Sequence, residues 1–217
     1  MTLRYLTFDC YGTLIDWKKG IEDNFKNFAK FGDQGKYDIF KNYVAIESRL
    51  ENNYSSYRQI LATTFLEMAH QLSLDPSKQD ADGFADSITL WPAFEDTSLT
   101  LKSLGKKGYQ IIILSNIDRI LLKRTIENSE LEVNGYITAE DVKSYKPQKA
   151  HWVEVLRTYG LSTNEMVHIA GSIYHDIIPA SEMGLKTIWV NRYREPFPTK
   201  VVPTYTVDDL REILKIL

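Results

Sequence analysis

The 217-residue chain carries 43% apolar and 25% charged residues, ordinary values for a soluble globular protein with one core and room for an inserted subdomain. Its formal net charge is −3 and no basic patch stands out, which argues against nucleic acid as a partner. A lone cysteine, Cys10, excludes an internal disulfide framework, and no apolar run suits a signal peptide or a membrane span, so a cytoplasmic protein without membrane contact is expected.

In chain order, "LRYLTF" is the first strand-like run, and it leads straight into Asp9 and a Gly-Thr turn. From about Asp16 to Leu90 the pattern is helical. Ile21, Phe25 and Phe28 share one face, and Tyr57, Ile60, Leu61, Thr64, Phe65 and Met68 share another. Asp33-Gln34-Gly35 and Asp75-Pro76-Ser77 mark breaks between these helices. A crossover between parallel strands does not need so many residues, so this stretch is expected to be a helical cap inserted after the first strand. The strand-like runs resume with "YQIIILS", a short "GYITA", "MVHIAG" and "KTIWVN". Helices are expected at Ile117 to Glu127, Lys149 to Tyr159 and Tyr174 to Met183, with Gly108, Gly160 and Gly184 at helix ends. "TYTVDDLREILKIL" closes the chain as a short strand and a helix capped by Asp208 or Asp209. The alternation implies an α/β fold with a parallel sheet, divided into a core at 1–15 and 92–217 and a cap at 16–91.

In open parallel sheets, ligands bind outside the carboxyl ends of the strands. Those ends deliver Asp9, the pair Ser115-Asn116, Lys146 after the "GYITA" strand, and Ser172 with Asp176. A buried carboxylate such as Asp9 loses water and needs hydrogen bonds or a cation. The bland readings are a turn aspartate for Asp9, a helix cap for Ser115-Asn116, a loop lysine for Lys146 and a local cap for Asp176. Four such residues on one rim favour a shared site.

"DCYGTLID", "LSN", "YKP" and "GSIYHD" occur in an order that resembles the haloacid dehalogenase superfamily over essentially the whole chain. The resemblance implies a Rossmann-like core and a nucleophilic aspartate, Asp9. It places Lys146 as its cationic partner, Thr13 as a donor that fixes its rotamer, and Asp176 as the acid that holds Lys146. Ser115, Asn116 and Ser172 would contact a small anionic substrate. Phosphatases of the superfamily carry a second aspartate two residues after the nucleophile, where this chain has Tyr11. A phenol is a poor acid toward a leaving alcohol at neutral pH, whereas a departing halide needs no proton. The pattern therefore resembles the L-specific 2-haloacid dehalogenases, which implies an aspartyl-ester mechanism without cofactor and suggests a homodimer.

Departures from that pattern bear on the substrate. Gly171 and Ile173 stand where a serine and an asparagine are expected, and Trp152 replaces a substrate-side tyrosine. The cap arginine that accepts halide is assigned to Arg49, with Arg58 and Arg119 as reserves, and Trp17, Tyr54 and Tyr57 are candidate wall residues. Two alternatives stay open: a magnesium-dependent phosphohydrolase, disfavoured by Tyr11 and Ser172, and a catalytically reduced binding protein. His175 is expected to line the pocket or the surface, and Cys10 to be a small buried hydrophobe.

Overall fold

The computed structural model describes residues 4–30, 37–196 and 201–217. Strands β1 (Tyr5–Phe8), β2 (Gln110–Ser115), β3 (Gly135–Thr138), β4 (Met166–Ala170), β5 (Lys186–Val190) and β6 (Tyr205–Val207) form one parallel sheet in the order β3-β2-β1-β4-β5-β6. Continuous apolar runs make these strands because helices cover both faces. Every residue of β4 is buried, and every residue of β2 except Gln110.

The strand order reverses between β1 and β4, and their carboxyl ends open a crevice there. Thr7 lies opposite His168 and Phe8 opposite Ile169, and the Asp9 amide donates to the Ile169 carbonyl at 3.0 Å. Backbone pairing thus carries Asp9 to the mouth of the crevice before its side chain makes any contact.

Helices α1 (Trp17–Phe28), α2 (Ile39–Leu50), α3 (Tyr57–Gln71), α4 (Lys78–Ser87) and α5 (Thr97–Lys106) separate β1 from β2. The expected apolar faces are buried, except that Phe28 is half-buried. Phe65 joins the faces, with its ring 5.0 Å from Phe84 and 5.6 Å from Phe25. The chains entering and leaving this segment run side by side: Asp16 N–H donates to the Pro92 carbonyl at 2.8 Å and Phe94 N–H to the Leu14 carbonyl at 3.0 Å. A second tie comes from Asp118, after β2, whose carboxylate accepts from the Tyr57 and Arg58 amides at 2.9 and 2.8 Å. An anion at the positive end of α3 is favoured by the aligned peptide dipoles. The break at Asp75-Pro76-Ser77 separates α3 from α4, where Ser77 and Asp80 form a capping box. Asp33-Gln34-Gly35 lies outside the described residues.

The remaining helices are α6 (Arg119–Asn128), α7 (Ala139–Val142), α8 (Ala150–Tyr159), α9 (Ile178–Glu182) and α10 (Ile213–Ile216). Short α7 was not expected; Thr138 and Asp141 cap it. The helix expected from Tyr174 opens instead as a wide turn over Ile173–Ile177, closed by the Ile177 amide on the Ser172 carbonyl at 3.2 Å. Asp209, rather than Asp208, caps the last turn by accepting from the Arg211 amide at 2.8 Å.

A buried ion pair braces the loop after β1. Arg192 makes two 2.9 Å bonds to Asp96 and a 3.0 Å bond to the Thr13 carbonyl, while its guanidinium lies 3.9 Å from the Phe94 ring centroid. Breaking such a pair strands a buried charge. Arg192→Met should therefore lower unfolding free energy by about 3–5 kcal/mol in urea titration. A loss below about 1 kcal/mol, the scale of an exposed pair, would show that the brace is dispensable.

Candidate active site

Lys146, on the loop between α7 and α8, is only 2% exposed, and every N–H of its ammonium has an acceptor. Nζ donates to Asp9 Oδ1 at 2.8 Å, to Asp176 Oδ1 at 2.7 Å and to the Leu114 carbonyl at 3.0 Å. Thr13 Oγ1 donates to Asp9 Oδ2 at 2.7 Å and accepts from the Gly171 amide at 2.9 Å. Asp176 Oδ1 also takes His168 Nε2 at 3.0 Å, and His168 Nδ1 lies 2.9 Å from Thr7 Oγ1. One buried chain thus runs from β1 through β4 and the wide turn to Lys146 and back to Asp9.

The two carboxylates divide the ammonium unequally. Burial pushes Asp176 upward, but the Lys146 charge and the His168 bond outweigh it and hold this acid well below the usual carboxylate range. For Asp9, burial prevails: Lys146 opposes the rise and the Asp176 charge adds to it. Burial alone would lower Lys146, yet the two carboxylates raise it, so it stays an ammonium.

A cavity of about 90 Å³ lies over Asp9. Of the residues expected from sequence, Asp9, Tyr11, Ser115, Asn116, Lys146, Ser172 and Asp176 line it, and Thr13 stands behind Asp9. Trp17 and Tyr57 contribute wall, whereas Tyr54 lines a neighbouring pocket. The Tyr11 hydroxyl is bonded to Thr125 Oγ1 at 2.7 Å, and because Thr125 itself donates to the Leu121 carbonyl, Tyr11 is the donor. Burial lifts the phenol well above its ordinary value, so its ring faces the site without offering an acidic proton. The Asn116 amide brackets Lys146, accepting from its backbone N–H at 2.7 Å and donating to its carbonyl at 3.0 Å. That leaves this amide engaged rather than free for substrate.

Two further expectations need correction. Arg49 sits on the exposed face of α2, paired with Glu67, and does not reach the cavity. Its reserves are also engaged outside: Arg58 with Asp82 and Asp86, Arg119 with Asp141. Among the described residues no arginine lines the cavity. Trp152 is fully buried under the sheet, edge-on to His168 at 5.2 Å and packed with Ile112, Leu114 and Ile137, because α8 turns that position toward the β2–β3 face. Gly171 has a packing explanation. A Cβ there would come 2.7 Å from the Gly12 carbonyl, so a serine cannot stand at this place unless the loop after β1 shifts.

Sequence reasoning missed His168, Glu47 and Glu51 and gave His175 no role. Glu47 accepts from the Tyr57 hydroxyl and from the Tyr43 hydroxyl at 3.2 Å. Glu51, one turn later, receives the Asn116 amide at 3.4 Å and lies 3.8 Å from His175 Nε2. Glu47, Glu51 and His175 line the cavity; His168 lies behind it. Burial pushes Glu47 up to about 7 against the two phenol bonds, and pushes Glu51 up to about 9 with the Glu47 charge adding to the effect. Burial also lowers His175, which is therefore neutral at neutral pH.

The sign of the linkage follows from these shifts. A carboxyl with a raised folded-state value holds a proton that the unfolded chain has already released, so stability falls as pH climbs from the ordinary 4.5 toward about 9. Glu51→Gln removes the charge but keeps the shape. It should flatten that decline and, near the top of this window, stabilise by on the order of 1–3 kcal/mol, read as a melting temperature roughly 2–10 °C higher. Parallel pH profiles for variant and wild type would contradict the assignment.

Comparison with known proteins places the chain. The profile of the haloacid dehalogenase-like hydrolases matches residues 3–184. The chain is 23% identical to the (S)-2-haloacid dehalogenase 4A of Burkholderia cepacia, covering all of this chain and 95% of that protein. It is 24% identical to the pyrimidine 5'-nucleotidase YjjG of Escherichia coli over 82% of each. The solved L-2-haloacid dehalogenase from Xanthobacter autotrophicus superposes with a TM-score of 0.88 at 17% identity, covering 100% of this chain and 98% of that one.

Proposed function

This chain is a member of the haloacid dehalogenase-like hydrolases, and from that premise we propose that it dehalogenates short 2-haloacids through an ester on Asp9. The observation that carries this reading is the Asp9 carboxylate at the floor of a small cavity, held by Lys146 and Thr13, with Tyr11 in place of a proton donor. Residues 16–91 act as the cap that closes the cavity, and the lone buried Cys10 suits a cytoplasmic setting.

An Asp9 oxygen attacks the carbon bearing the halogen, the carbon–halogen bond breaks, and halide leaves with the bonding pair. Displacement inverts that carbon. Water then attacks the carboxyl carbon of Asp9 while Lys146 and Thr13 stabilise the charge developing on its oxygens. Asp176 is too weak a base to take the water proton, whereas neutral His175 lines the same cavity and fills that role. Collapse expels the 2-hydroxy acid as an alkoxide, which picks up the proton of the added hydroxyl. Asp9 returns to its carboxylate, and His175 gives its proton to solvent.

Magnesium chemistry fits these residues poorly. Asp9 and Asp176 both spend an oxygen on Lys146, Asp176 is further tied to His168, and the Ser172 hydroxyl accepts from the His175 amide at 3.0 Å. Oxygen ligands for a hard cation are correspondingly few.

Chloride release from L-2-chloropropionate should proceed equally with and without EDTA, and Asp9→Asn should abolish it while the protein stays folded. Single turnover in heavy-oxygen water should label Asp9 and leave product unlabelled; label in the first product would mean direct attack by water. His175→Ala should slow only the second step, so the Asp9 ester accumulates and is seen by mass spectrometry. Loss of ester formation itself would remove His175 from the base role.

A further inference from the structure

We propose that Glu47 and Glu51 are the receptor for a positively charged group, so that the preferred substrate is a short 2-haloacid bearing an ammonium. The inference rests on the reading of Asp9 as the covalent nucleophile and adds the class of molecule that it attacks.

Charge around the cavity makes the case. Its described walls hold four carboxyl groups, Asp9, Glu47, Glu51 and Asp176, against one ammonium, Lys146. That ammonium is fully engaged by Asp9, Asp176 and the Leu114 carbonyl, so it has no donor left for a ligand. His175 is neutral and lies 3.8 Å from Glu51, and the arginines of the helical segment that sequence nominated bond to acids outside. A simple haloalkanoate would bring one more negative charge into an enclosure that already carries an excess. A zwitterion brings none.

The chemistry of the walls supports the same occupant. Glu47 lies on α2 and Glu51, four residues on, caps its C-terminus in helical conformation, so both stand on one side and both reach the cavity. Beside them stand the rings of Trp17, Tyr57 and Tyr11, whose electron-rich faces attract cations. Glu47 is held in place by phenol donors and Glu51 by the Asn116 amide, all of them neutral, so the bonds orient the acids and leave no cation paired with them. Burial keeps Glu51 protonated and Glu47 partly so at neutral pH, and a bound ammonium favours their ionised form, which then pairs with it. Ser115, which also lines the cavity, is left for the substrate carboxylate.

An isosteric pair isolates the charge: 3-amino-2-chloropropanoate and 2-chlorobutanoate differ by an ammonium in place of a methyl. Wild type should release chloride from the amino compound, above the buffer blank, with kcat/KM at least about tenfold higher, and Glu51→Gln should erase the preference. Binding of the inert analogues 3-aminopropanoate and butanoate to wild type, read by thermal shift, needs no chemistry and no variant. It decides the matter if Glu51→Gln fails to fold. Selective binding of 3-aminopropanoate without halide release from either chloride would sustain the charge receptor and defeat the covalent reading. Equal or greater kcat/KM for 2-chlorobutanoate, with Asp9 still alkylated, would overturn the receptor alone. So would tighter binding of butanoate, which would make the glutamic acids neutral donors to a carboxylate.

Discussion

An ammonium buried between two carboxylates is the constraint on which this structure turns. Lys146 is inaccessible to water and would be intolerable without Asp9, Asp176 and the Leu114 carbonyl, each within 3.0 Å. Those partners come from the ends of different strands, so the charge can be satisfied only when the sheet has its observed order. The strand reversal beside β1, the wide turn after β4 and the bracket of Asn116 around the Lys146 backbone all serve that meeting. Removing Lys146 would leave two like charges buried together, a larger loss than any single hydrogen bond in the chain.

Much of this was legible in the sequence. Continuous apolar runs gave the strands, because strands buried on both faces need no polar alternation, and the carboxylate, lysine and serine residues at their ends marked the rim. Less visible was anything that depends on side chains meeting across strands. His168 sits in the middle of an apolar run and looks like core. Its role appears only once Thr7 is known to be its neighbour on β1 and Asp176 is turned toward it. The wide turn that aims Asp176 has no local signature beyond Ser172. Glu47 could have been found, since it falls one turn after Tyr43 on the buried face of α2, and Glu51 one turn after that. Charged residues are usually assigned to the solvent side, and Arg49, two positions from each, looked the better candidate.

The centre and the walls of the cavity are therefore constrained to different degrees. The atoms around Asp9 are fixed by mutual charge and by backbone register, and a change in any one of them disturbs the rest. Side chains from α1 and α2 meet no such requirement, since a helix can exchange its inward residues while keeping its packing. Gly171 illustrates the boundary: it touches the loop that holds Thr13, and the 2.7 Å approach of the Gly12 carbonyl to its missing Cβ shows the two backbones adjusted to each other.

The walls and the centre are nevertheless joined, and Asn116 is the joint. Its amide holds both sides of the Lys146 residue and also reaches Glu51 at the end of α2. When Glu51 is protonated, it has little hold on that amide; when it is ionised, it pulls harder on the amide and feels the Lys146 field. A ligand charge that keeps Glu51 ionised would therefore tighten α2 onto the loop that carries the ammonium.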